Sequence, residues 1–187
     1  MALTPPARRW QLYPPQIGRP RMPKGYRLAM QYDLVEFNTA IKPVAFRYVC
    51  EVLGANHVLY FDNDCYVTSS LSELTHRLAR VSFVITPHIR ASIPLDGQQQ
   101  TELNIMMAGT FNFGFLGVSA TDEGMKFLLW WEERLSYYAY VDLANGMHYD
   151  QKWGDLIPSY FDQRHIDIIR DPECRERERS MRAQFSA

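Results

Sequence analysis

His57-Val58-Leu59-Tyr60-Phe61-Asp62-Asn63-Asp64 is a strand-like run that leads straight into two carboxylates. A continuous apolar run of this length, bounded by polar residues, reads as a strand buried on both faces of a parallel sheet. Open α/β sheets bind ligands at the carboxyl ends of their strands. Asp62 and Asp64 therefore stand where a diphosphate and its metal ion would sit, on one side of a turn with Asn63 between them. Two hard oxygen ligands suit Mg2+ or Mn2+, which are usually held by one or two carboxylates plus substrate oxygens.

On the N-terminal side of this run, Tyr32 to Phe37 reads as a short extended segment leading to Asn38 and Thr39, either of which can cap a helix. Pro43 falls in that helix's first turn, where a missing N–H is tolerated. Ile41, Val44, Ala45, Tyr48, Val49 and Val52 recur at helical spacing, and Gly54 stops the run. The helix is expected to pack against the strand 57–61. On the other side, Ser70-Leu71-Ser72-Glu73 is a capping-box pattern for a helix ending near Leu78, and 81–86 reads as the next strand. Residues 87–103 contain Pro87, Pro94, Gly97 and Gln98-Gln99-Gln100, and read as a lid or specificity loop beside the aspartates. A strand follows from about Thr110 to Val118, where Gly114 and Gly117 permit close approach of a backbone or a ligand. Thr121-Asp122-Glu123 opens a helix with Phe127, Leu128, Trp131 and Leu135 on its apolar face. Neighbours on a helix diverge by about 100°, so one of Trp130 and Trp131 faces the core and the other a partner or a sugar. Alternating strands and helices give an α/β fold.

The chain's 187 residues, 47% hydrophobic and 22% charged, suit one globular domain. A net charge of -1 supplies no general attraction for nucleic acid or an anionic membrane. Residues 1–27 form a basic, proline-rich arm with Arg8, Arg9, Arg19, Arg21, Lys24 and Arg27 and no acidic residue. Such a segment is expected to be extended or disordered. The tail, 173–187, alternates charge through Arg175-Glu176-Arg177-Glu178-Arg179 and reads as a solvated end. Cys50, Cys65 and Cys174 have neither metal-site spacing nor an even count, which makes a reducing cytoplasm the expected setting. His57, His76, His148 and His165 lack ligand spacing and read as structural or exposed. There is no apolar leader and no run of roughly 18 apolar residues to span a membrane.

Six blocks in order carry a wider resemblance. They are residues 36–43 (Glu-Phe-Asn-Thr-Ala-Ile-Lys-Pro), 59–64 (Leu-Tyr-Phe-Asp-Asn-Asp), 85–88 (Ile-Thr-Pro-His), 109–115 (Gly-Thr-Phe-Asn-Phe-Gly-Phe), 130–135 (Trp-Trp-Glu-Glu-Arg-Leu) and 150–153 (Asp-Gln-Lys-Trp). Together they resemble the GT-A-type nucleotide-sugar glycosyltransferases, specifically a bacterial branch related to the glycogenin-like and lipopolysaccharide galactosyltransferase-like enzymes. The resemblance implies a Rossmann-like sheet flanked by helices over residues 28–172. It also implies metal-dependent transfer of a sugar, with a UDP-sugar as donor and a glycan or lipid-linked acceptor, which leaves room for peripheral membrane association.

Residue by residue, Asp62 and Asp64 match the family's DxD, which binds Mn2+ or Mg2+, and Asp62 and Asn63 are counted with the donor contacts. His88 follows a strand end, where it could touch phosphate or a sugar hydroxyl, against the plainer reading that Pro87-His88 turns the chain. Asn112 and Gly114 resemble the strand beside the donor sugar or the acceptor. Asp150 and Gln151 match the pair near the anomeric carbon, where they would support an oxocarbenium-like state, against the plainer reading of a helix start with Asp150 as its N-cap. Lys42 and Lys152 match positions that reach phosphate, against the plainer reading of solvated surface lysines, which is preferred for Lys152.

The match fades at both ends. No apolar strand precedes Tyr32 to hold the nucleotide base, and after Pro172 the family's Asn- and Trp-containing block is replaced by Glu173-Cys174-Arg175-Glu176. The expectation is an incomplete GT-A domain with weakened activity. Its sheet edge would be exposed unless the basic arm or another chain covers it. Two alternatives stand beside this reading. Residues 60–64 with Val67 and Thr68 also resemble the nucleophile strand of haloacid-dehalogenase-like phosphohydrolases, although that family's later motifs are not evident in order. The third reading is a non-catalytic nucleotide-sugar binding module.

Overall fold

The computed structural model describes residues 24–67, 70–97 and 101–170. The arm up to residue 23, the glutamines 98–100, Cys174 and the charged tail lie outside the described residues.

Helix α1, Lys24–Gln31, includes the last four residues of the basic arm. Helix α2, Leu34–Ala40, replaces the extended segment expected at 32–37. The cause is a capping box one step upstream of the expected caps. Asp33 Oδ1 accepts the Glu36 N–H at 2.9 Å, and Glu36 Oε2 accepts the Asp33 N–H at 3.2 Å, satisfying two donors the helix end would otherwise orphan. Asn38 and Thr39 lie inside α2, and Ile41 joins it to α3, Lys42–Glu51, with Pro43 in the first turn as expected. Replacing Asp33 by Ala is expected to cost about 1 kcal/mol of stability, read as a lowered midpoint in urea denaturation.

Strand β1, His57–Phe61, is followed by α4, Ser72–Leu78, and β2, Phe83–Pro87. The segment read as a loop, 87–103, runs at its end into a helix, α5, Glu102–Ala108, nucleated by the Thr101 and Asn104 capping box. Next come β3, Phe111–Ser119, and α6, Asp122–Tyr138, which Thr121 caps by accepting the Gly124 N–H. The last described elements are the short pair β4, Val141–Asp142, and β5, Met147–His148, a 3₁₀ stretch Gln151–Leu156, α7, Ile157–Tyr160, and β6, Ile166–Ile168.

The main sheet has the order β1-β3-β2-β6 and is mixed rather than parallel. β1 and β2, joined through α4, run the same way but are separated by β3, which is antiparallel to both; β2 and β6 are parallel. A buried apolar run has the same pattern in either direction, so orientation is not written in it. β1 is accordingly an edge strand among the described residues and only half-buried, with Val58 and Tyr60 packed on one face and Leu59 and Phe61 on the other. β3, at the centre, is buried along nearly its whole length.

Helix α6 supplies the core against this sheet: Phe127, Leu128, Trp131 and Leu135 are completely buried. The Trp131 ring stacks on Phe127 at 5.5 Å and meets Phe113 edge-on at 5.3 Å. Trp130 takes the outer position, half-buried against Trp153 and Tyr160. Arg47 of α3 clamps the buried Glu132 of α6 at 2.7 Å. A smaller apolar cluster on the opposite face joins Leu59 and Phe61 to Leu78, Val84 and Phe115. Among the described residues no helix is long and apolar enough to cross a membrane.

Candidate functional site

Asp62 continues the β1–β3 ladder one residue beyond the strand, its N–H donating to the Gly114 carbonyl at 2.8 Å. Its side chain therefore lies against the middle of β3. There Asn112 Oδ1 accepts the Gly114 N–H at 2.8 Å, which places an amide and a carboxylate on either side of a glycine. A Cβ at Gly114 would stand 3.0 Å from both Asn112 Oδ1 and Asp62 Oδ2. The close approach expected of that glycine is made by a carboxylate.

Lys42, the first residue of α3, enters the same place from the other side. Its side chain is only 8% exposed, so it is neither a solvated surface lysine nor one extended into open solvent. The ammonium donates to the Phe113 carbonyl at 3.2 Å, lies 2.9 Å from Asp150 Oδ2 and 3.5 Å from Asp62 Oδ1, and sits 4.7 Å above the Tyr60 ring. Tyr60 in turn donates its hydroxyl to Asp62 Oδ1 at 2.6 Å. Burial, followed by that bond to Asp62, pushes the Tyr60 phenol far above its usual range, so it stays a donor.

Asp150 is 4% exposed and precedes the 3₁₀ stretch without capping it through its side chain. Its Oδ2 has no well-aligned hydrogen-bond donor, and Lys42 compensates it through charge at close range. Burial raises the Asp150 pKa and the Lys42 ammonium opposes the rise. The residue before it, Tyr149, holds φ at 46°, a left-handed conformation that is uncommon for a bulky side chain. Strain of that kind persists only where surrounding structure enforces it. Here the Tyr149 N–H is tied to the Tyr140 carbonyl at 3.1 Å.

Asn63 and Asp64 are exposed in the turn, which closes through a bond from the Cys65 N–H to the Asp62 carbonyl at 3.0 Å. Cys50 is a buried free thiol. Among the described residues no three His, Cys, Asp or Glu side chains converge as a preformed metal cage. A cation held by two carboxylates and substrate phosphates does not require one.

His88 and Gln151 gather at a neighbouring point, the end of α5. His88 Nδ1 donates to the Gly109 carbonyl at 2.7 Å, and the Gln151 amide nitrogen donates to the Ala108 carbonyl at 3.1 Å. These bonds tie α5 to the end of β2 and to the 3₁₀ stretch. Neither of these bonds reaches Lys42, Asp62 or Asp150. Lys152 is paired rather than solvated, donating to the Met106 carbonyl at 2.6 Å and to Asp155 Oδ2 at 2.8 Å.

Tyr60 is the member of the site that sequence reasoning passed over. The signal was its position two residues before Asp62, since alternate residues of a strand share a face. No protein-family model, curated protein or solved structure matches this chain.

Proposed function

We propose that the chain is a GT-A-type, metal-dependent glycosyltransferase that moves a sugar from a nucleotide diphosphate donor, a UDP-sugar, to a hydroxyl of a glycan or lipid-linked acceptor. One observation carries this reading. Asp62, Asn112, Gly114 and Asp150, assigned to the metal, the donor and the sugar by their sequence blocks, converge from distant segments around the buried Lys42.

The donor set fits a hard divalent cation. Asp62 is 38% exposed at its side chain, and among the described residues its Oδ2 takes no hydrogen bond. That oxygen and Asp64 would hold Mg2+ or Mn2+. Bound there, the cation stabilises the charge that grows on the departing diphosphate. The electrostatics agree: Asp62 and Asp150 stand against one ammonium, Lys42, and Asp64 adds a third carboxylate in the adjoining turn. When all are ionised, the two-charge deficit is what a divalent ion neutralises. Lys42 opposes the burial that raises the Asp150 pKa, and an ionised Asp150 directs negative potential toward the site. Such a potential favours an oxocarbenium-like state at the sugar. His88 and Gln151 border this site by fixing the end of α5.

Calorimetry with UDP and UDP-sugars, with and without Mn2+, tests the proposal. The expected result is Mn2+-dependent UDP binding accompanied by sugar transfer or slow donor hydrolysis. Failure to bind UDP or any other nucleoside diphosphate, with no effect of metal, would sink it. Binding without turnover would indicate a binding module. Phosphatase activity lost in Asp62→Asn would indicate a phosphohydrolase.

A further inference from the structure

We infer that Tyr60 is a positioning residue that restricts Asp62 to single-oxygen coordination and thereby selects Mg2+ or Mn2+ over Ca2+. The inference rests on the placement of the cation at Asp62 proposed above, and it goes beyond that placement by assigning the two carboxylate oxygens different tasks.

Oδ1 is committed twice. It accepts the Tyr60 hydroxyl at 2.6 Å and faces the Lys42 ammonium at 3.5 Å. Both partners are themselves held. The Tyr60 ring lies beneath the ammonium at 4.7 Å and packs against Phe46 at 6.1 Å, while Lys42 is anchored by the Phe113 carbonyl and by Asp150. Oδ2 points the other way, toward the space that Gly114 leaves by lacking a side chain. The carboxylate thus leaves one oxygen without a hydrogen bond among the described residues and keeps the other in a fixed network.

This asymmetry matters because the two kinds of cation use carboxylates differently. Ca2+ gathers six to eight oxygens and often takes a carboxylate through both, whereas Mg2+ takes an octahedral shell from single oxygens and retained waters. A two-oxygen grip at Asp62 would require Oδ1 to leave the Tyr60 hydroxyl, and it would draw the cation toward the Lys42 ammonium. Both costs fall on Ca2+. Neither falls on an ion bound at Oδ2 alone.

Tyr60→Phe removes one oxygen and keeps the ring under Lys42 and against Phe46, so the fold is retained, as a thermal melt by circular dichroism would verify. The full-length wild-type and variant chains are titrated with Mn2+ and with Ca2+ in the presence of UDP, with heat as the readout. Losing a hydrogen bond to a charged group corresponds to about a tenfold change in binding. The ratio of Mn2+ to Ca2+ affinity should therefore fall by about tenfold in the variant, chiefly because Ca2+ gains. An unchanged ratio in a folded variant that still binds Mn2+ would overturn the role of Tyr60 and leave the proposed function standing. Absence of binding by either ion to the wild-type chain with UDP would overturn the placement of the cation, and this inference with it.

Discussion

Lys42→Met is expected to destabilise the domain by about 3–5 kcal/mol, the usual cost of removing one partner of a buried ion pair. Methionine fills much of the lysine's volume, so the loss is electrostatic rather than a cavity. Asp150 Oδ2, 2.9 Å from the ammonium and without a well-aligned hydrogen-bond donor, would be left as an uncompensated buried charge. The effect carries a sign in pH. The folded-state pKa of Asp150 already lies above its ordinary value because of burial, and Lys42 is the first influence holding it down. Without Lys42 it rises further. A carboxyl whose folded pKa exceeds its unfolded pKa binds more protons in the native state, so stability falls as pH rises through that interval. The variant's deficit relative to wild type should be largest at neutral pH and should shrink as pH falls toward the unfolded carboxylate range near about 4. Paired urea denaturations of the two chains at pH 5 and pH 8 measure it. Adding Asp150→Asn to Lys42→Met should recover part of the loss, since both members of the pair are then neutral. A deficit below about 1 kcal/mol that ignores pH would count against a buried pair, because exposed pairs contribute on that smaller scale.

The elements legible in the sequence were those whose signal is local and periodic. The helix at 42–51, the strand at 57–61, the strand at 111–119 and the helix opening at Thr121 all follow from apolar spacing and caps. The expected extended segment at 32–37 failed because Tyr32, Leu34, Val35 and Phe37 look strand-like while Asp33 and Glu36 form a capping box around them, and the cap prevailed. Helix α5 was hidden by the prolines and glycine upstream of it, although Thr101 and Asn104 carry the same kind of cap. Neither the antiparallel course of β3 nor the pairing of β6 with β2 is a local property, and neither was read. The site divides along the same line. Asp62 stood at a strand end and was visible. The burial of Lys42 depends on α3 meeting α6, β1 and the Asp150 segment together, which no window of sequence contains. The convergence of Asp62, Asn112, Gly114 and Asp150 rested on the family resemblance, and the contact network supports it. His88 and Gln151, assigned with them, instead gather at the end of α5.

On the function proposed above, Gly114→Ala is expected to lower Mn2+-dependent sugar transfer by about 100-fold, the scale on which a displacement of roughly 1 Å in a site is felt. Backbone conformation does not require glycine here, since Gly114 is not among the residues with positive φ. What requires it is the 3.0 Å separation between a would-be Cβ and the oxygens of Asn112 and Asp62. Asn112 Oδ1 is pinned by the Gly114 N–H at 2.8 Å and has little room to retreat. Asp62 must move instead, and Tyr60 and Lys42 hold its other oxygen. The methyl group therefore turns Oδ2 away from the position proposed for the cation, at a stability cost of about 1 kcal/mol or less because nothing in the core is displaced. Gly117, three residues along the same strand, provides the contrast. A Cβ there would meet Leu78, Leu59 and Val84 side chains at 3.2–3.3 Å. Gly117→Ala should lower the melting temperature through overpacking while leaving Mn2+ affinity unchanged. Transfer assays and thermal melts on both variants separate the two effects. If Gly114→Ala retains wild-type Mn2+ affinity and transfer, the glycine does not position Asp62, and the carboxylate beside it is not the one that binds the cation.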